Sequence, residues 1–190
     1  MNFYQIFSKT YRKAAQRMCS DCQDFIKNGS KILDLGCGSG IVGMTFQEHF
    51  RAKVVGVDIK DSRVAPLPFK IINGKSLPFP EKSFDIVLIN YVLHHSEEPA
   101  SLLKEAKRVS EKIIVYEDLP EGFLSKLICK IHGISFDKIF KNPNQTSFKS
   151  EKEWEKLFRK IGLNTIFKKK IKTFPVKKEL LILEASKIIS

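Results

Sequence analysis

The chain has 190 residues, 43% hydrophobic and 28% charged, ordinary globular proportions for a single domain with a large core. No apolar run approaches the roughly 18 residues of a membrane span, and the N-terminal MNFYQIFSKTYRKAAQRM lacks the uninterrupted apolar stretch of a secretory signal. A transmembrane or exported protein is therefore not expected, and a cytoplasmic one is.

The formal net charge of +12 is uneven: residues 1–120 carry 17 basic and 14 acidic side chains, residues 121–190 carry 16 and 7. Because 27 of the 33 basic residues are Lys, and planar recognition of phosphates and bases favours Arg, a solvated Lys-rich surface is favoured over nucleic-acid binding. Four cysteines, at 19, 22, 37 and 129, show no disulfide framework. Cys19-Ser-Asp-Cys22 has the spacing of half a zinc site with no second pair to complete it, so no metal site is expected.

In chain order, Phe7, Tyr11, Ala14, Met18, Cys22 and Phe25 recur at helical spacing and predict one amphipathic helix over 4–27, ended by Asn28-Gly29. A short apolar strand, 31–35, then runs into glycines at 36, 38 and 40, where the chain can turn with positive φ and a ligand can approach the backbone. A helix over about 41–50 and a second strand, Lys53 to Asp58, complete a β-α-β unit. Only ten residues, including Pro66 and Pro68, separate Asp58 from the candidate strand 69–72, too few for a full crossover helix.

Ser83–Asn90 reads as a buried central strand, and Pro99 opens a helix carrying Leu102, Leu103, Ala106 and Val109. A fifth strand, 112–116, ends in Glu117-Asp118. Phe123, Leu124, Leu127, Ile128 and Ile131 suggest a basic amphipathic helix, and Asn142-Pro143-Asn144 a loop. Ser150-Glu-Lys-Glu153 is a capping box for a helix with Trp154, Leu157, Phe158 and Ile161 on one face and Gly162 as its stop. Two extended runs, 165–174 and 179–185, are expected to pair as an antiparallel edge. The expected fold is α/β: a Rossmann-like, mostly parallel seven-stranded sheet with a C-terminal hairpin and helices on both faces.

Gly38-Ser-Gly40-Ile-Val-Gly43 fits a general dinucleotide pattern, but the acid at 34 gives D-L-G-C-G-S-G. That motif resembles the first motif of the class I S-adenosylmethionine-dependent methyltransferases. Val54–Asp58, Leu77-Pro-Phe-Pro-Glu-Lys-Ser-Phe-Asp-Ile-Val87, Tyr91-Val-Leu-His-His95 and Leu103–Val109 are similar to successive segments of their type 11 small-molecule group. The resemblance covers 31–118 as a cofactor core and leaves 119–149 as the expected acceptor lid within one domain spanning 1–190. It implies S-adenosyl-L-methionine as cofactor. Gly36, Cys37, Gly38 and Gly40 would present backbone to it, and Asp34 would meet its ammonium, directly or through water. Asp58 would accept both ribose hydroxyls, and Ile59 would pack on the adenine. Asn73, beside Gly74, stands where the family often has an acid; its amide oxygen would accept from the adenine amino group. Asn90 is a further expected cofactor contact.

On the acceptor side, Tyr91, His94 and His95 follow the fourth strand, and either imidazole could act as a base near neutral pH. Glu117 and Asp118 could orient a substrate. Phe123, Phe136, Phe140 and His132 would suit an apolar or aromatic small molecule, and the basic helix could rest on an anionic membrane. The acceptor, the acceptor atom and the oligomeric state are not specified. Two other readings remain at this point: a nicotinamide-dependent oxidoreductase, and a binding or regulatory protein with the same fold and no turnover, with RNA as a candidate partner of its basic C-terminal surface.

Overall fold

The computed structural model describes residues 3–140 and 146–186, without the side chains of Phe3, Phe136, Asp137, Ile139 and Phe140. The predicted loop at Asn142-Pro143-Asn144 lies outside the described residues. Seven strands form one sheet in the order β3-β2-β1-β4-β5-β7-β6. They are β1 (Lys31–Leu35), β2 (Lys53–Asp58), β3 (Phe69–Ile71), β4 (Phe84–Asn90), β5 (Ser110–Leu119), β6 (Leu163–Ile171) and β7 (Lys177–Ala185). β3, β2, β1, β4 and β5 run parallel. β7 joins β5 antiparallel and pairs with β6 on its outer side, so the hairpin is present with β7 inserted and β6 at the edge.

Strands β1 and β4 are buried on both faces, which explains their near-continuous apolar reading. One face packs α2 (Ser8–Cys22) and α3 (Ile41–Phe50) through Met18, Cys22, Phe46 and Phe50 onto Ile32, Val54, Leu88 and Ile114. The opposite face packs α4 (Pro99–Val109) and α6 (Glu151–Lys160) through Leu103, Ala106, Trp154 and Phe158 onto Leu33, Val87, Ile113 and Leu181. Alternate residues of each strand feed the two cores. The capping box is present: Glu153 accepts from the Ser150 backbone N–H at 2.8 Å.

Several boundaries differ from expectation. The single helix over 4–27 is instead α1 (Phe3–Ile6), α2 and a 3-10 turn at Gln23–Phe25. Its buried face is Ala15, Met18, Cys19 and Cys22, with Phe7 and Ala14 turned outward. Both thiols of the Cys19/Cys22 pair are thus core groups; burial pushes each up to about 12, and Cys22 donates to the Met18 carbonyl. Strand β5 extends to Leu119, because Glu117 is accommodated inside the fold rather than in a solvated loop.

The helix after β5, α5 (Phe123–Phe140), is longer than the periodicity indicated and presents the opposite face. Ser125, Cys129 and Gly133 are buried at intervals of four, while Phe123, Leu127, Ile131 and Ile134 stand exposed at 84%, 42%, 56% and 59%. Small residues let the helix backbone approach the domain closely; a Cβ on Gly133 would lie 2.9 Å from Thr146 Cγ2.

The third glycine of the motif is a packing requirement. A Cβ on Gly43, in the first turn of α3, would fall 2.6 Å from Asp34 Oδ2, 2.8 Å from Leu67 Cδ2 and 3.3 Å from Val54 Cγ1. Gly43→Ala gains helix propensity but overpacks three buried neighbours, and should destabilise the protein by about 1–3 kcal/mol. Chemical denaturation measures this directly; an equal or higher midpoint would contradict the packing account.

Candidate active site

The carboxyl ends of β1, β2 and β4 meet at the glycine turn, where ligands of open α/β sheets bind. Gly36 has φ +74°, and a Cβ there would lie 2.4 Å from Val92 Cγ2. Its N–H and that of Cys37 both donate to the Val57 carbonyl, at 2.8 and 3.1 Å. One residue on, Gly38 N–H donates to Asp58 Oδ2 at 2.9 Å, while Ile59 N–H donates to Asp58 Oδ1 at 2.7 Å. The end of β2 therefore holds the turn through three consecutive N–H groups. The Lys60 N–H is a third backbone donor beside this carboxylate, and with about four acceptor positions on an ionised carboxylate Asp58 retains capacity for a further hydroxyl donor. Burial raises its pKa, and the backbone donors oppose that rise.

Asp34 projects from β1 toward α3 and is 1% exposed. Its Oδ2 has no hydrogen-bond partner. Burial, with the charge of Asp58 second, pushes its carboxyl up to about 7. The N-cap residue of α3, Gly40, supplies no side-chain cap, and the Gly43 N–H in its first turn opposes the rise at Asp34. Asn90, at the end of β4, has both amide atoms buried and unpartnered. By strand alternation and the Asp34↔Leu88 register, the two side chains emerge on the same face.

Ile59 lies beyond Asp58 and is 67% exposed, an apolar surface beside the turn. Gly74 approaches it: a Cβ there would be 3.4 Å from Ile59 Cγ2. Asn73 behaves differently from expectation, because its Oδ1 accepts from Lys75 N–H at 2.9 Å and Ser76 N–H at 3.1 Å. That oxygen is committed to the local turn. Tyr4, which sequence reading did not single out, stands over the cradle with its hydroxyl 3.8 Å from the Cβ position of Gly38. The segment after Asp58 also closes on the turn, with Val64 N–H donating to the Ser39 carbonyl at 2.9 Å.

The second half of the site lies past β4. Tyr91 adopts φ +56°, a strained position for a non-glycine residue, while its N–H continues the ladder to the Tyr116 carbonyl. Its ring packs with the α2/α3-side core under Lys178 Nζ, 4.2 Å away. Val92 and Leu93 join the other core, so the strained residue redirects the chain across the sheet. The Tyr91 ring thus lies on the α2/α3 side of the sheet, with Glu117 and Asp118 among its charged neighbours.

Leu93–His95 form a single 3-10 turn held by Glu117. Glu117 Oε1 accepts from Leu93 N–H at 2.9 Å, and Oε2 meets His94 Nδ1 at 2.5 Å. With Glu117 as a carboxylate, which only accepts, Nδ1 is the donor of this contact, and the neutral ring would then carry its lone pair on Nε2. His94 is 1% exposed and Nε2 is unpartnered.

Phe148 stacks on His94 at 4.6 Å between centroids, and Ser147 N–H donates to the His94 carbonyl at 2.6 Å. His95 Nδ1 lies 3.0 Å from Thr146 Oγ1. Burial, then His94 and His132, lower His95 to about 3, keeping it neutral. His132 of α5 completes the group, 5.6 Å from His95 between ring centroids. Thr146, Ser147 and Phe148 had no sequence signal, being about fifty residues from the turn they cover. Phe136 and Phe140, expected in the lid, have side chains outside the description. An open cavity of about 950 Å³ lies elsewhere, at the amino ends of the strands beside Lys27, Lys82, Asp85 and Arg108.

The cradle's chemistry fits a nucleoside that carries a free amino-acid end. Asp34 and Asn90 offer unpartnered polar atoms to an ammonium and carboxylate, Asp58 accepts a hydroxyl donor, and Ile59 takes a base. Cofactor-free, Asp34 holds its proton in the fold up to about pH 7 but loses it near pH 4 when unfolded. Stability should therefore fall as pH rises through that window and stay reduced above it. Asp34→Asn should stabilise the cofactor-free protein at pH 8 by about 1–3 kcal/mol and flatten the slope between about pH 4 and 7. Thermal unfolding across pH checks this; an unchanged slope would show that Asp34 is not a strained buried acid.

Known proteins with the same features bear on identity. An uncharacterized protein of Methanocaldococcus jannaschii is 33% identical over 142 residues, covering 70% of this chain and 64% of its own length. An uncharacterized methyltransferase of Schizosaccharomyces pombe is 29% identical over 106 residues, 46% of this chain and 38% of that protein. The chain thus spans less than two thirds of either. A demethylmenaquinone methyltransferase of Bacillus cereus is 28% identical, covering 83% of this chain and 78% of its own. A solved SAM-dependent methyltransferase of Methanosarcina mazei shares the fold with a TM-score of 0.66 at 19% identity, over 87% of this chain and 97% of its own. Residues 33–112 match the type 11 family model described as a methyltransferase domain. Over these residues the chain is similar to that methyltransferase family, and its fold is the one found in the solved methyltransferase.

Proposed function

We propose that this protein transfers a methyl group from S-adenosylmethionine to a small-molecule acceptor held past the ends of β4 and β5. The observation that carries this reading is the set of buried, unpartnered polar atoms of Asp34 and Asn90 beside an Asp58 already oriented by the glycine turn. Such groups cost free energy in an empty fold and are explained by a polar ligand that completes them. The cofactor would supply an electrophilic methyl on a sulfonium. Asp34 and Asn90 would hold its amino-acid end, Asp58 its ribose hydroxyls, and Ile59 with Gly74 one face of the adenine. Asn73, with its oxygen committed, would present only its amide N–H to the base, a donor in place of the expected acceptor.

In-line displacement at carbon needs alignment above all, and holding both partners can be worth about 7–11 kcal/mol. The Glu117–His94 pair fixes a nitrogen lone pair on the acceptor side without requiring any movement of the turn. A purely RNA-binding role is less well supported. The lysines of the terminal hairpin are engaged with acids: Lys168 with Glu151 and Glu155, Lys169 with Asp21, Lys170 with Glu151, and Lys177 with Glu121. Calorimetric titration of the purified protein with S-adenosylhomocysteine should give saturable 1:1 binding. Asp58→Ala should weaken it by about 1–3 kcal/mol through loss of charge-assisted hydrogen bonds. No binding by the folded protein, or an unchanged affinity in the variant, would contradict the reading.

A second feature bears on where the acceptor comes from. The outward Phe123, Leu127, Ile131 and Ile134 of α5, flanked by Lys126, Lys130 and Lys138, form an apolar face with basic edges. No helix among the described residues is long and apolar enough to cross a membrane. We read α5 as resting on an anionic lipid surface, which suits a lipophilic acceptor; the name of the B. cereus relative is consistent with this. Co-sedimentation with anionic vesicles should be salt-sensitive and lost on Phe123→Glu with Ile131→Glu. Equal recovery of wild type and variant with vesicles would remove α5 from that role.

A further inference from the structure

His94 and His95 lie on the 3-10 turn and His132 on α5, two elements far apart in sequence, yet each places one ring nitrogen so that all three lie within 4.8 Å of one another. Around a tetrahedral metal with bonds of about 2.0–2.1 Å, ligand atoms sit closer still, so a small rotation of the imidazoles would complete the set. His132 is itself partly open to solvent while its ring faces His95 and Phe148.

Two further observations point the same way. His94 Nε2 is buried without a partner, while its other nitrogen is held by Glu117, the carboxylate–histidine arrangement that orients metal ligands and raises their basicity. Thr146 meets the Nδ1 of His95 at 3.0 Å, a second outer contact on the same trio. Cysteine is absent from the cluster, and three neutral imidazoles with a fourth position open match a catalytic rather than a structural centre.

We propose that His94, His95 and His132 bind one divalent transition-metal ion, best matched by zinc, whose open position takes the heteroatom of a hydroxyl- or thiol-bearing acceptor. On coordination the acceptor's O–H or S–H bond breaks, its proton passes to solvent water, and the electron pair stays on the metal-bound heteroatom as the nucleophile. Glu117 is then a positioning residue rather than a participant. The acceptor part of this inference rests on the methyltransferase reading; the metal site does not.

The test is titration of tag-free, chelator-stripped protein with Co²⁺, followed by visible absorption, with Zn²⁺ competition. Wild type should bind one equivalent with the intense bands of a four-coordinate ion and lose them to Zn²⁺. His132→Ala, at an exposed position that folding does not need, should weaken binding at least tenfold, and Glu117→Gln by about 10- to 100-fold. His49→Ala, a distant exposed histidine, should change nothing. No Co²⁺ spectrum at micromolar protein, or equal affinity in His132→Ala, would overturn the site. S-adenosylhomocysteine binding measured on the same samples separates the two readings. Binding of the nucleoside without Co²⁺ defeats only the metal site, and Co²⁺ binding without the nucleoside defeats only the transferase reading.

Discussion

The end of β2 fastens the glycine turn: the Val57 carbonyl takes the N–H groups of Gly36 and Cys37, and the Asp58 carboxylate takes that of Gly38. Three consecutive donors are thereby aimed at a neighbouring strand rather than at water. This constraint makes the loop between β1 and α3 a shaped surface, and it requires positive φ at Gly36 and Gly38. It also sets the direction of the Asp58 side chain before any ligand arrives. Preorganisation of this kind lowers the ordering cost that binding would otherwise carry.

Polar burial is concentrated where that surface meets the ends of β1 and β4. Asp34, Asn90, His94 and Glu117 are all inside or nearly so, in a fold whose other buried residues are mostly apolar. Glu117 is satisfied through Leu93 and His94, Asp34 meets the Gly43 N–H but keeps Oδ2 unpartnered, and both amide atoms of Asn90 are unpartnered. The division is informative: Glu117 stabilises the turn that carries the histidines, whereas the unpartnered atoms of Asp34 and Asn90 cost stability that a bound polar ligand would restore. Strain at Tyr91 belongs to the same region and reverses the chain's facing within one residue.

Much of the frame was legible because its signals are local. Buried parallel strands read as unbroken apolar runs, the capping box at Ser150 named its helix, and the ten residues after Asp58 were too few for a crossover helix. The cofactor half of the site followed from a motif whose residues sit within one turn and two strand ends. What escaped were facts decided by distant contacts. Periodicity showed that α5 was amphipathic, but not that small Ser125, Cys129 and Gly133 would face inward. Glu117 reads as a charged strand end until His94, twenty-three residues earlier, is seen against it. Thr146 and Phe148 carry no motif and matter only because the fold lays them on the histidine turn. The amide of Asn73 was assigned to a ligand, although Lys75 and Ser76 compete for it at shorter chain distance.

A structure of the protein with S-adenosylhomocysteine bound tests the central claim most directly. The account predicts the ribose hydroxyls on the Asp58 carboxylate, the adenine against Ile59, and the amino-acid end within hydrogen-bond reach of Asp34 or Asn90. Nucleoside bound elsewhere, or bound at the turn with Asp34 and Asn90 still unpartnered, would contradict it.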